Sequence, residues 1–332
     1  MGTIVVTGAA GFLGSQLVPH LTSEHEVLLI DNLNTSYGGS LVSDRVEFLG
    51  TERPIMRLDL SGCEQPSLDR IVESADLVVH LAAWAGVRAS LERSDQYFQN
   101  NVVATQNLLR ACQEARTPVL IASSSSVYGD VGLVHPCGEE AANGTGLRSP
   151  YAVAKWLIEE WARCIASVAP PVLIVRPFSI YGPWGRPDMA YFSFARSMLR
   201  EEEINLFGDI DTRRDFTYVD DAIFYLTSLI EAMLVNPQET VEQFDIGFGV
   251  GTVNLCNGDP RPLRDVIIGL ESALQLKAAI RLQPGSPLDL RGTHGNPSRL
   301  HAFCGQSLTP LEDGLLAFAD WITAFHGSAR DW

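Results

Sequence analysis

The stretch Thr3-Ile-Val-Val-Thr-Gly8-Ala-Ala-Gly11-Phe-Leu-Gly14 opens with an apolar, β-branched run, passes through spaced glycines, and continues into a helical repeat at Leu17, Val18 and Leu21. A short β-branched run favours a buried strand, and apolar positions three and four apart favour a helix, so the order is strand, turn, helix. In that order Gly8 permits a tight turn, Gly11 lets backbone approach a pyrophosphate at the helix N-terminus, and Gly14 lets the helix pack close on the strand. The spacing is G-x-x-G-x-x-G rather than G-x-G-x-x-G, and taken alone it also fits a plain structural turn. The next strand, Glu26-Val-Leu-Leu-Ile30, ends at Asp31. That acid comes about 20 residues after the glycines, where a carboxylate can accept both hydroxyls of an adenosine ribose. A ribose phosphate would meet Asp31 with like charge, and no arginine follows directly to reverse it, so the sequence predicts NAD rather than NADP.

The alternation repeats with Ile55-Met-Arg-Leu58 and Asp59, a helix near Ser67 to Glu73, and the apolar strand Asp76-Leu-Val-Val-His-Leu81. A helix from about Asp95 to Arg116 and the strand Pro118-Val-Leu-Ile-Ala122 follow. Repeated βα units predict an α/β fold with a doubly wound parallel sheet, whose ligands sit at the carboxyl ends of the strands. Ser123-Ser-Ser-Ser126-Val-Tyr-Gly129 starts at such an end, on the cofactor side. His80 reads as a satisfied strand-end residue rather than a catalyst. After Val172-Leu-Ile-Val-Arg176 the alternation gives way to Pro- and Gly-punctuated segments, predicting a smaller, interleaved domain over the cleft. The expected division is a cofactor-binding part at 1–175, to which segments near 210–246 return, and a substrate-binding part at 176–332. The helix Leu311 to Phe325 reads as packing.

With 46% hydrophobic and 19% charged residues among 332, the chain can bury a full core. Its net charge of 24 − 40 = −16 argues against nucleic acid or an anionic membrane as partner, so an anionic ligand must be met by local arginines. The six cysteines are scattered, with no Cys-x-x-Cys and no Cys/His spacing suited to zinc. No basic segment leads an apolar one at the N-terminus, and no run is long enough to span a bilayer. The expectation is a reduced cytoplasmic protein without a metal.

Pro150-Tyr151-Ala-Val-Ala-Lys155-Trp-Leu-Ile-Glu-Glu-Trp-Ala-Arg163 predicts a helix with Ser149 as N-cap and Pro150 at its first position. Tyr151 and Lys155 then share one face, one turn apart. Lys155 is one of only two lysines, against 24 − 2 = 22 arginines. An ammonium beside a phenol stabilises the phenolate, which makes Tyr151 a candidate general base; the bland alternative is an exposed pair on an amphipathic helix.

Taken together, Gly8, Gly11 and Gly14, Asp31, Asp59-Leu60, His80-Leu-Ala-Ala83, the Ser123 to Ser126 run and Tyr151-x-x-x-Lys155 resemble the extended short-chain dehydrogenase/reductase superfamily. The resemblance spans nearly the whole chain and falls in the nucleotide-sugar epimerase/dehydratase branch. His80 to Leu91, Arg176-Pro-Phe-Ser-Ile-Tyr-Gly-Pro-Trp-Gly-Arg186-Pro-Asp-Met-Ala190 and Arg213-Arg-Asp-Phe-Thr-Tyr-Val-Asp-Asp221 resemble the UDP-glucuronate 4-epimerases in particular. The resemblance implies a Rossmann-type fold, Tyr151 as acid/base, Lys155 on the nicotinamide ribose, and a steadying hydroxyl at Ser124, with Ser125 and Ser126 close enough to compete for that role. It places further NAD contacts at Phe12, Leu13, Asn32, Asp59, Leu60, Leu81, Ala82, Ala83, Asn100 and Phe178. Arg88, Arg214 and Arg291 would meet the UDP pyrophosphate, while Ser124 to Ser126, Ser179 and Arg186 would hold the sugar carboxylate. Two stretches depart from the family pattern: Gln283-Pro-Gly-Ser286 with a short insertion before Thr293, and a longer, glycine-rich Phe248 to Arg261.

The activity implied is NAD-dependent interconversion of UDP-glucuronate and UDP-galacturonate through a 4-keto sugar, by a protein that is commonly a homodimer. The alternatives are a UDP-glucuronate decarboxylase, another nucleotide-sugar 4-epimerase or 4,6-dehydratase, and, in another class, a catalytically silent NAD-binding regulator. The decarboxylases and dehydratases usually carry an acid where this chain has Ser125 and Ser126, and a silent regulator would tolerate loss of Tyr151 or Lys155.

Overall fold

Strands that are apolar at every position must be covered on both faces, and the first half of this chain is built from such strands. The computed structural model describes residues 1–34, 40–50, 54–62, 65–130, 135–285 and 290–326. Its strands are β1 (Thr3–Thr7), β2 (Glu26–Asp31), β3 (Ile55–Arg57), β4 (Leu77–His80), β5 (Val119–Ala122) and β6 (Val172–Pro177), then β7 (Ser179–Tyr181), β8 (Ile204–Phe207), β9 (Arg213–Tyr218), β10 (Gly251–Leu255), β11 (Pro260–Pro262) and β12 (Ile280–Gln283). The helices of the first half are α1 (Phe12–Leu21), α2 (Leu41–Leu49), α3 (Gln65–Glu73), α4 (Val87–Glu92), α5 (Ser94–Tyr97), α6 (Ala104–Ala115) and α7 (Pro150–Ile165). Those of the second half are α8 (Ala190–Leu199), α9 (Val219–Val235), α10 (Pro237–Phe244), α11 (Leu263–Leu274), α12 (Ser298–Cys304) and α13 (Leu311–His326).

Seven strands form one parallel sheet in the order β3-β2-β1-β4-β5-β6-β10. Alternate side chains divide its core. Ile4, Val6, Leu29, Leu77, Val79, Leu120 and Leu173 pack under α1, α9 and the second-half helices, while Val5, Ile30, Val78, Val119, Ile121 and Ile174 pack against residues of α3, α6 and α7. Each such side chain is almost completely buried and contributes about 1.5–3 kcal/mol relative to exposure. The doubly wound sheet expected from the sequence is therefore present.

The Phe248 to Arg261 segment, glycine-rich in sequence, supplies the seventh strand. The Asp245 carboxylate accepts the N–H groups of Gly247, Phe248 and Gly249, turning the chain into β10. Ser286, where the other departure falls, lies outside the described residues. The helix expected near Asp95 to Arg116 is interrupted by a π-helical turn, Phe98–Val103, between α5 and α6. Smaller sheets, β11-β9-β7 and β12-β8, carry the second half. An aromatic cluster of Trp184, Tyr191, Phe192, Phe318, Trp321 and Phe325 locks α13 to α8 and to the loop before it.

Candidate active site

The neighbours of β1 and β4 lead in opposite directions through the sheet, so a crevice opens at the carboxyl ends of these two strands. The glycine turn lines it. Gly8 has φ +74, and a Cβ there would fall 2.6 Å from the Ala82 nitrogen; at Gly14 it would fall 2.2 Å from the Gly8 oxygen. Gly11, the N-cap of α1, caps the first turn with no side chain, leaving the helix N-terminus to backbone donors. Asp31 accepts the N–H groups of Ala10 (2.9 Å) and Leu33 (2.7 Å). Burial pushes its carboxyl up, and those two bonds and the Arg45 charge draw it back. At Asp59 burial acts upward too, but bonds from Ser61 and Asn32 outweigh it and hold the carboxyl below its usual range. His80 is satisfied as expected: one ring nitrogen meets Thr7 Oγ1 at 2.7 Å and the other Thr105 Oγ1 at 2.8 Å, and burial holds its pKa near 3.

Helix α7 begins where the sequence places it, with the Ser149 side chain accepting the Ala152 N–H at 3.1 Å and Pro150 in the first turn. Its Tyr151 and Lys155 are only 9% and 4% exposed, which removes the reading of an exposed amphipathic pair. The serines that meet them alternate like the strand they continue. Ser123 turns away to donate to Glu159 Oε1 at 2.5 Å, whereas Ser124, still extended (φ −163, ψ 150), lies on the Tyr151 side, where it draws the phenol down, and donates to Ser126 Oγ at 3.2 Å. The Lys155 ammonium donates to the Ala122 carbonyl at 2.6 Å, and burial pushes the Tyr151 phenol up. The groups opposing that rise are Ser124 and the Arg186 guanidinium. Burial brings Lys155 itself down to about 8, against the upward pull of Glu159.

On the sugar side, Arg186 is held by Asp188 through two bonds, Nε to Oδ1 at 3.0 Å and Nη2 to Oδ2 at 2.6 Å. Arg88 stacks over the Phe207 ring at 4.4 Å, and Arg214 donates to the carbonyls of Arg213 (3.1 Å) and Leu290 (2.7 Å). Every residue assigned to catalysis, cofactor or substrate from the sequence lines one cavity of about 970 Å³. The cavity also takes in Asp188, Trp84, Asn205 and Thr212, which the sequence reading passed over. The loop carrying Trp84 is fixed by Asn101, which bonds both the N–H and the carbonyl of Trp84, and by the Tyr97 hydroxyl on the Ala85 carbonyl. Tyr97 then stands edge-on to Tyr151 at 6.3 Å.

The family model described as "NAD dependent epimerase/dehydratase family" matches residues 4–247. The chain belongs to that family. It is 33% identical to UDP-glucuronate 4-epimerase 3 of Arabidopsis thaliana, over 99% of this chain and 78% of the relative. It is 30% identical to a probable UDP-glucuronate 4-epimerase of Rhizobium meliloti, over 96% of each chain. A crystal structure of the UDP-glucuronic acid 4-epimerase of Bacillus cereus, in complex with UDP-glucuronic acid and NAD, superposes with a TM-score of 0.85 at 29% identity, over 97% of this chain and 99% of that one.

Proposed function

We propose that this protein is a UDP-glucuronate 4-epimerase that works with NAD and interconverts UDP-glucuronate and UDP-galacturonate. One observation carries the reading: a single cavity holds the Ser124–Tyr151 pair and, within electrostatic reach of the same phenol, the Arg186 guanidinium, with hydroxyls rather than acids at Ser125 and Ser126. The cofactor fits the chain's own shape, because Gly8, Gly11 and Gly14 line the cavity without side chains and the N-terminus of α1 offers backbone donors uncapped by any side chain. Gly8, Gly11, Phe12, Leu13 and Gly14 would hold its pyrophosphate, Asp31 and Asn32 a ribose, Asp59 and Leu60 the adenine side, and Leu81 to Ala83, Asn100, Lys155 and Phe178 the nicotinamide side. When bound, NAD would supply the hydride acceptor, and then the donor, for C4 of the sugar. Tyr151 takes and returns the proton of the 4-hydroxyl, Ser124 steadies that hydroxyl, and Arg88, Arg214 and Arg291 meet the pyrophosphate. Purified protein given UDP-glucuronate and no added cofactor should form UDP-galacturonate with little UDP-pentose, and should act weakly on UDP-glucose. Mostly UDP-pentose, or a preference for UDP-galactose, would overturn the reading.

Asp31 at a ribose excludes a phosphate there. NAD should be extractable from the purified protein, and a reconstitution titration should find NADP much the weaker ligand. Tighter binding of NADP would remove Asp31 from the ribose.

We also read the chain as a cofactor-binding part at 1–175, joined by segments near 210–246, with the sugar nucleotide covered by 176–332; NAD should protect exposed loops of the first part from limited proteolysis and UDP-glucuronate those of the second, and the reverse pattern would count against it. A homodimer is supported by the outer face of α7, where Val153, Leu157 and Trp161 recur at helical spacing and are 40–45% exposed. Phe98 and Leu91 are similarly exposed on elements packed against α7. Sedimentation equilibrium should give twice the chain mass, and Leu157→Glu should give the single chain; a wild-type monomer at micromolar concentration would sink this. Among the described residues no helix is long and apolar enough to cross a membrane. The five described cysteines are free thiols, which supports a cytoplasmic location, and recovery of the protein in an exported fraction would contradict it.

A further inference from the structure

We propose that Asp188 is the positioning residue for the sugar carboxylate: it fixes the plane of the Arg186 guanidinium and thereby decides whether the oxidised sugar keeps its carbon dioxide. The inference rests on the uronate reading above and assigns a task to a residue that reading does not use.

The geometry starts from the backbone. The Met189 N–H donates to the Arg186 carbonyl at 3.1 Å, closing a turn whose second residue is Pro187, so Arg186 and Asp188 are presented side by side. The approach to this turn is rigid as well. Arg45 of α2, fully buried, donates to the Trp184 carbonyl from Nε (3.1 Å) and Nη2 (2.6 Å) and to the Gly185 carbonyl at 3.0 Å. Trp184 is held at φ +62, a left-handed conformation that a residue with a side chain keeps only when its surroundings impose it. Gly185 has no room for a side chain, since a Cβ there would lie 1.6 Å from the Tyr191 hydroxyl.

On this fixed base Asp188 takes the Nε–Nη2 edge of the guanidinium with both oxygens. A two-bond fork sets the plane of both groups, which a single contact would not. The fork thereby narrows the directions from which a sugar carboxylate can meet the guanidinium. The pair also acts on Tyr151 with opposite signs, Arg186 lowering and Asp188 raising the phenol, so both charges stand within electrostatic reach of it.

Direction matters because removing hydride from C4 makes a β-keto acid. If the C5–C6 bond aligns with the C4 carbonyl π system, that bond breaks and carbon dioxide leaves. Its electron pair then passes into the enolate spanning C5 and C4, and a proton is taken up at C5. The hydride removed from C4 in the first step then returns to it, and the product is a UDP-pentose with no net redox change. Holding the carboxylate so that C5–C6 stays out of that alignment suppresses the loss. Asp188→Asn keeps the shape but offers one acceptor, and turns an amide donor towards a guanidinium donor. The plane is released while the positive charge on Arg186 is less neutralised.

The test compares wild type with Asp188→Asn, Asp188→Ala and Asp188→Glu, measuring the ratio of UDP-pentose to UDP-galacturonate formed from UDP-glucuronate, KM, and the melting temperature. Asp188→Asn and Asp188→Ala should raise the pentose share roughly three- to tenfold with KM for UDP-glucuronate unchanged or lower, and Asp188→Glu should recover part of the wild-type ratio. A merely structural residue would move melting temperature and KM together and leave the ratio alone. The proposal falls if a wild type that epimerises UDP-glucuronate is matched within twofold in pentose share by both the Asn and Ala variants. Should Asp188→Ala not fold, the isosteric Asn variant decides alone. A wild type that forms no UDP-galacturonate overturns the proposed function first, and this inference with it.

Discussion

Replacing Tyr151 by phenylalanine should lower the rate of epimerisation by roughly two to four orders of magnitude while leaving the fold and bound NAD in place. The change removes one oxygen from a side chain that is 9% exposed, so the ring keeps its packing against Tyr97 and Trp84. What goes is the hydroxyl proposed to take the proton of the sugar 4-hydroxyl, on the side of Ser124. Lys155→Arg should also be poor. The ammonium is 4% exposed and donates to the Ala122 carbonyl at 2.6 Å, and a planar guanidinium has neither the room nor the geometry to repeat that bond. Initial rates on UDP-glucuronate, with the NAD content of each preparation measured alongside, decide the matter. Turnover of Tyr151→Phe within about tenfold of wild type would end the assignment of the base.

The parts of this site that could be read from the sequence are those fixed by neighbours in the chain. The glycine spacing, Asp31 at the end of β2 and the Ser149–Pro150 start of α7 each depend on a handful of adjacent residues, and a local rule suffices for each. The period of two along an extended chain turns Ser123 and Ser124 opposite ways, so Ser123 meets Glu159 while Ser124 lies on the Tyr151 side. Partners across the fold left no such signal. Asp188 lies inside a stretch that the resemblance covers, but its hold on Arg186 depends on the turn closed by Met189. Arg45 reaches Trp184 across 139 residues, and nothing near position 45 predicts a buried guanidinium. Lys155 stands one turn from Tyr151 in sequence, but no local signal shows that burial at the end of β5 gives its ammonium the Ala122 carbonyl. The π-helical turn at Phe98–Val103 leaves no trace in a hydrophobic period, yet it sets where Asn100 and Asn101 point.

Arg176→Met should cost the fold about 3–5 kcal/mol, a large share of the roughly 5–15 kcal/mol that holds a native chain together. Arg176 is fully buried, and it forks onto Glu159 through Nε (3.0 Å) and Nη2 (2.6 Å). Its remaining arm donates to the Tyr128 hydroxyl at 2.9 Å and the Glu139 carbonyl at 2.6 Å, and Tyr128 passes the chain of bonds on to Asn254 of β10 at 2.6 Å. Glu159 also accepts from Ser123 and from Arg163. Methionine fills much of the volume but takes two of the four donors from the buried Glu159 carboxylate, leaving it Arg163 and Ser123, and removes the donors to the Tyr128 hydroxyl and the Glu139 carbonyl. The effect lies in these weakened buried partners rather than in the pair's own attraction, since two buried ions together roughly cancel their desolvation. The double change Arg176→Met with Glu159→Leu should therefore recover a large part of the loss, although Arg163 and Ser123 then lose a partner. Thermal unfolding should show the single variant melting roughly 4–7 °C below wild type and the double variant above the single. A single variant within about 2 °C of wild type would mean that this cluster is wetter than the structure places it. Activity should follow stability only in part, because Glu159 stands one turn after Lys155 on α7 and raises its pKa. Losing that carboxylate leaves the ammonium less protonated near neutral pH, so the double variant should fold better than the single one and still bind NAD more weakly than wild type.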